Sequence, residues 1–201
     1  VRRRQSWDPP EMVGDRELFT FRLGYYELFV SLLWKEPAGE LLAALANGMP
    51  ERVKGARQLH PLLGQGWEEI GQFLTGMSPD RYAETVGEEY TKLFIGSPAP
   101  EVQPYESYYL TGHLMDRPLA LIRALLKTIG IERQAEYPEP EDCLAFELEV
   151  MRRLIARQGS AKDPDSEVRW LNGQAVFLKE HLLVWGPAFC RDLSGAEGAG
   201  C

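Results

Sequence analysis

The sequence predicts an all-α protein, a globular bundle of about 8–10 helices. Three observations carry this. Apolar residues recur at helical spacing, as at Leu144, Leu148, Met151 and Ile155, while segments of period-two alternation are missing. Helix start and stop signals recur about every 15 to 25 residues. No heptad persists, so the bundle is globular and not a coiled coil.

The elements follow in order. Asp15 caps a long first helix to about Lys35, whose apolar residues Leu18, Phe19, Leu23, Tyr26, Phe29, Val30 and Leu33 cover more than one face and predict a central helix. Pro37 ends it. A short helix over about Gly39 to Ala46 stops at Asn47-Gly48. Residues 51–63 are ambiguous. Gly64-Gln65-Gly66-Trp67-Glu68-Glu69-Ile70-Gly71 fails as a dinucleotide fingerprint, because Glu69 stands at the third glycine position and no strand precedes it. It reads as a loop leading into a helix to about Leu74. Ser78-Pro79-Asp80 starts a helix to about Phe94, which Gly96 closes. Another helical turn begins at Tyr105. Asp116 caps a helix whose stripe is Leu119, Ile122, Leu125, Leu126 and Ile129, and Gly130 closes it.

The stretch Tyr137 to Met151 organises the rest. Pro140, Glu141 and Asp142 suit the first turn of a helix, since proline has no N–H to leave unpaired and the helix dipole favours anions there. That helix ends near Gly159. A polar loop over 159–165 leads to a helix from Ser166 to Trp185, which Pro187 to Leu193 extends or restarts.

The chain has 201 residues, enough for one large domain or two small ones, with one the better expectation. The expected division is an N-terminal tail over 1–14, one helical domain over 15–193 and a C-terminal tail over 194–201. Hydrophobic residues make up 44% and charged residues 26%, which fits a soluble surface over a sizeable core. The net charge of -8 argues against nucleic acid as a partner. No apolar run is long enough for stable membrane insertion. Val1-Arg2-Arg3-Arg4-Gln5-Ser6-Trp7 looks superficially like a twin-arginine signal, but Asp8-Pro9-Pro10-Glu11 follows where an apolar run should stand, so a solvated tail is expected. Cys143, Cys190 and Cys201 form no CxxC, which fits a reducing cytoplasm without a disulfide framework.

Catalytic chemistry finds little support. His60, His113 and His181 form no HExxH and no close pair, so no metal site and no cofactor are expected. His181, between apolar neighbours, reads as a packed or capping side chain. A Cys143–His181 nucleophile pair has no local support.

Three segments then act together. They are Glu89-Tyr90-Thr91-Lys92-Leu93-Phe94-Ile95-Gly96 with Pro104-Tyr105-Glu106-Ser107-Tyr108, then Pro138-Glu139-Pro140-Glu141-Asp142-Cys143-Leu144, then Phe177-Leu178-Lys179-Glu180-His181-Leu182-Leu183-Val184-Trp185. In order and spacing they resemble the TorD/DmsD/NarJ family of redox-enzyme maturation chaperones, whose pattern is Tyr-x-x-Leu-Phe, Pro-x-x-Ser-x-aromatic, Glu-Pro-x-Asp-His and His-Leu-x-x-Trp. The likeness covers roughly residues 15–193.

The resemblance implies a helical, non-enzymatic, cytoplasmic chaperone. Its partner would be the twin-arginine signal peptide and precursor of a molybdopterin oxidoreductase catalytic subunit, held until the cofactor is inserted. The peptide site it implies comprises Tyr90, Leu93, Phe94, Pro104, Tyr105, Ser107, Tyr108, Glu139, Pro140, Asp142, Cys143, His181 and Trp185. Glu106, Glu139, Glu141 and Asp142 offer acceptors for guanidinium groups, and Tyr105, Tyr108, Phe94 or Trp185 an apolar groove. In that reading Asp142 contributes little to the fold itself. Cys143 departs from the pattern, standing where the family has His. Relatives occur as monomers or domain-swapped homodimers. Two other readings stand beside it: a small helical enzyme, such as a nucleotide hydrolase or Cys-dependent transferase, and a helical ligand-sensing domain.

Overall fold

A computed structural model describes residues 15–197. Ten α-helices occur among them: α1 (Asp15–Leu33), α2 (Gly39–Ala46), α3 (Met49–Leu59), α4 (Pro61–Thr75), α5 (Pro79–Tyr90), α6 (Glu106–Thr111), α7 (Arg117–Ile129), α8 (Leu144–Gly159), α9 (Pro164–Phe177) and α10 (Leu183–Gly195). Two π-helical turns, Thr91–Ile95 and Leu178–Leu182, continue α5 and join α9 to α10. The described residues contain no strand, only an isolated antiparallel bridge between Tyr105 and Cys143. The fold is all-α, as the periodicity predicts. The expected tail over 1–14, and residues 198–201 of the expected C-terminal tail, lie outside the described residues, as does the capping side chain of Asp15.

The chain divides into two compact units. Among the described residues the first holds 15–18 and 38–85, and the second 19–37 and 86–197.

In the first unit α3 and α4 form an antiparallel hairpin with only His60 between them. His60 Nδ1 accepts from Leu62 N at 3.2 Å, and Pro61 opens α4. The hairpin resolves the ambiguous 51–63 and corrects the loop expected at 64–71, which is helical. Glycine is a poor helix former, but here it permits contact. Gly64 and Gly71 are buried, and a Cβ on Gly71 would stand 2.9 Å from Met49 Cγ. Trp67 and Leu74 lie on the same face, and Tyr82 closes its end by donating to Leu74 O at 2.9 Å.

In the second unit α8 is the centre. Leu144, Leu148, Met151 and Ile155 are all buried, as their spacing predicts, and Val150 and Leu154 join them. Leu119, Ile122 and Leu126 of α7, with Phe177, Leu182, Trp185 and Phe189, complete this core. Asp116 caps α7 through Arg117 N at 2.6 Å, and Gly130 ends it in the left-handed region at φ 65°. α9 begins at Pro164, not Ser166, because Asp163 is the cap and accepts from Ser166 N at 2.9 Å. α1 is not the central helix its composition suggests. Leu18, Phe21 and Phe29 are exposed, and only Tyr26, Val30 and Leu33 reach the core, along one face at i, i+4 and i+7.

Candidate functional site

The site begins with a backbone pairing. Glu106 N donates to Asp142 O at 2.9 Å, Leu144 N donates to Pro104 O at 2.9 Å, and Cys143 N closes a turn on Pro140 O at 3.2 Å. These bonds keep 140–143 out of the helix. α8 therefore starts at Leu144 with Cys143 as its N-cap, and the expected placement of Pro140, Glu141 and Asp142 in a first helical turn is corrected. The pairing partner, residues 104–106, is remote in sequence, where no local capping rule can find it.

Asp142 is fully buried. Its Oδ2 accepts from Ser107 N at 3.1 Å and from the Ser107 hydroxyl, so it caps α6 from across the pairing. Glu141 is also occupied. It pairs with Arg123 at 2.8 Å and Arg133 at 3.6 Å. Burial opposes its charge, but the Arg123 hydrogen bond and both guanidinium charges outweigh that and hold its carboxyl below the ordinary range.

Beside this pairing lies a cavity of about 420 Å³, lined by residues 33–36, by Tyr90, Phe94 and Ile95, by Pro104 and Tyr105, and by 137–139 and 143–145. Its walls are aromatic. Trp34 stacks on Tyr137 with ring centroids 4.0 Å apart, and Tyr90 meets Phe94 edge-on at 5.1 Å. Tyr90 is anchored through its hydroxyl, which donates to Leu33 O at 3.2 Å. Tyr105 donates to Glu139 Oε2 at 2.7 Å, which fixes that carboxylate at the wall. Burial, the Glu139 hydrogen bond and the Glu139 charge raise the Tyr105 hydroxyl far above its ordinary pKa, so it remains a donor at any physiological pH.

Behind the cavity runs a buried polar chain. His181 Nδ1 lies 2.9 Å from Glu106 Oε2, and Trp185 donates to Glu147 Oε2 at 3.2 Å. Burial first, then the Glu106 charge, push the Glu147 carboxyl well above its ordinary pKa. The chain ties α6, α8 and the α9–α10 rod together through groups that water does not reach.

The structure thus sorts the expected site residues. Tyr90, Phe94, Pro104, Tyr105, Glu139 and Cys143 line one cavity. Leu93, Glu106, Ser107, Asp142, His181 and Trp185 are buried. Trp185 is 1% exposed and packs on Tyr109 and Phe189, so it is not at a groove mouth, and Asp142 and Glu106 are not surface acceptors. Tyr108 is exposed and Pro140 half-buried, both outside the cavity lining. His181 is packed, as its neighbours predict, and is engaged with Glu106. Cys143 is buried beside Tyr137, and desolvation pushes its thiol up to about 11, so it stays protonated near neutral pH and lacks the thiolate a nucleophile needs. Sequence reasoning missed Trp34, Tyr137 and Glu147. Glu147 carried a readable signal: an acid between Leu144 and Met151 on an otherwise apolar helix face.

Comparison with known proteins bears on these motifs. A family model described as nitrate reductase delta subunit matches residues 56–191. The chain is 36% identical over 125 residues to the chaperone protein TorD of Aeromonas salmonicida, covering 60% of this chain and 56% of that protein. It is 30% identical over 114 residues to TorD of Photobacterium profundum, covering 56% and 53%. Against TorD of Aliivibrio fischeri it is 32% identical over 103 residues, covering 50% and 48%. The chain spans about half the length of the curated relatives it matches. No solved structure matches it. No helix among the described residues is long and apolar enough to cross a membrane. The family match takes in the cavity's Tyr90-to-Ala145 walls and the buried His181–Trp185 chain together, and the protein belongs to the nitrate reductase delta subunit family, in which the TorD and NarJ chaperones fall.

Proposed function

We propose that this protein is a cytoplasmic redox-enzyme maturation chaperone that binds the twin-arginine signal peptide of a molybdopterin oxidoreductase precursor. It holds the precursor until cofactor insertion, and does so without catalysing a reaction. One observation carries the reading: Glu139, fixed by Tyr105, stands at the wall of an aromatic cleft built from the family's own motifs. A guanidinium group stacks on aromatic rings and pairs with a carboxylate through parallel hydrogen bonds. The apolar walls suit the run that follows the arginines in such a peptide. Tyr90, Phe94, Pro104, Tyr105 and Glu139 contact the peptide in this reading. Cys143 lines the cleft as a neutral thiol, and Leu93, Glu106, Ser107, Asp142, His181 and Trp185 hold it from behind. Sedimentation separates a monomer from a domain-swapped dimer.

The test is calorimetric titration of the protein with a synthetic peptide carrying Arg-Arg before an apolar run. Saturable binding that Glu139→Gln weakens is expected. Heat of dilution alone, in the wild-type protein, overturns the proposal.

A further inference from the structure

Two carboxylates line the cleft, and the family motifs account for only one. Glu139 sits on the loop before α8. Glu36 sits on the turn after α1. Glu36 has a seat of its own. A Cβ on Gly87 of α5 would stand 2.5 Å from Glu36 Oε1 and 3.0 Å from its Cδ, so the carboxylate lies against bare helix backbone that only glycine leaves open. Trp34 and Tyr137 supply the stacked aromatic wall of the same cleft. Tyr137 is 8% exposed, and its hydroxyl lies beside the Cys143 thiol. Burial, and then the charges of Cys143, Glu139 and Glu36, raise the Tyr90 hydroxyl above its ordinary pKa, so both carboxylates are felt at one wall. Lys35 is the single cation among the lining residues.

Glu139 already accepts from Tyr105, and one bidentate guanidinium takes up most of its remaining acceptor capacity. A pair of adjacent arginines therefore needs two carboxylates, and an aromatic face between them favours the planar, weakly hydrated guanidinium over a compact ammonium. We infer that Glu36, seated on Gly87, is the second arginine acceptor of the cleft and sets its preference for paired arginines over paired lysines. The inference rests on the cleft being the peptide site proposed above.

Its test uses the full chain and two variants, Glu36→Gln and Gly87→Ala. Each is titrated with the Arg-Arg peptide and with its Lys-Lys counterpart. Glu36→Gln keeps shape and removes charge. It is expected to lower Arg-Arg affinity about tenfold, as for loss of one charge-assisted pair, and Lys-Lys affinity by less, so that the Arg-Arg to Lys-Lys ratio narrows. Gly87→Ala retains the charge but pushes the flexible carboxylate off its seat, so the ratio shifts in the same direction. Far-UV circular dichroism of both variants should match the wild type, since Glu36 is exposed and alanine at Gly87 suits a helix interior. An unchanged ratio in Glu36→Gln, with wild-type preference intact, overturns this inference and leaves the peptide-binding reading standing. Absence of binding by the wild-type protein overturns both.

Discussion

At Asp142 a carboxylate does the work of a helix cap from across a chain pairing. Its removal strands the Ser107 N–H and hydroxyl in a space without water. Asp142→Ala is therefore expected to cost about 2–3 kcal/mol in urea unfolding, well beyond a surface cap. Glu147 poses the opposite case. Its carboxyl is raised above the ordinary value of 4.5 in the folded chain, with Glu106 and Asp142 as the charges that raise it and Trp185 as its donor. A folded pKa above the unfolded one means the folded state holds the proton longer. The stability this group contributes is present below pH 4.5 and is lost as pH rises toward the folded value. Glu147→Gln keeps the shape without the proton, so its stability relative to wild type should increase from pH 5 to pH 8; a pH-independent difference would show that Glu147 does not titrate in this way. At this scale the sequence was legible for His181 as a packed side chain. It was not for Asp142, whose burial depends on Ser107 folding over it.

Among the elements, the α3–α4 hairpin separates two roles of glycine. Gly66 has nothing within 4 Å of a would-be Cβ, whereas Gly64 and Gly71 face Arg57 and Met49. Gly66→Ala is expected to stabilise the protein by about 0.5–1 kcal/mol through helix propensity. Gly71→Ala forces Met49 aside and is expected to reverse that sign; thermal unfolding of the two variants side by side checks it. The same hairpin explains why a loop was read there. Local propensity sees three glycines in eight residues, and only the partner helix shows that two of them permit close packing. α7, whose Asp116 and Gly130 mark both ends, needed no partner and was legible at its boundaries. α1 was legible as a helix, but its abundance of apolar residues did not reveal that one face alone meets the core. α8 was legible in its apolar face and not in its start, since the 104–106 segment that holds 142–144 extended is remote in sequence.

Across the whole molecule, a net charge of -8 favours encounter with cationic segments. Affinity for the Arg-Arg peptide should fall several-fold between about 50 mM and 500 mM salt, because screening shortens the reach of exposed charges such as Glu36. A salt-independent affinity would place the binding energy in the apolar walls. The pairing at Tyr105 and Cys143 carries one last consequence. Two backbone bonds, Glu106 N to Asp142 O and Leu144 N to Pro104 O, hold the segments from which Tyr105 and Glu139 reach the cleft. An occupant touching both adds its binding free energy to the folded state by mass action, about 2.7 kcal/mol at a hundredfold excess over Kd. Loaded and empty protein then differ in survival as well as in cargo. Under limited proteolysis the form bound to the peptide proposed above should outlast the free one, so an occupant of the cleft would lengthen the protein's own persistence.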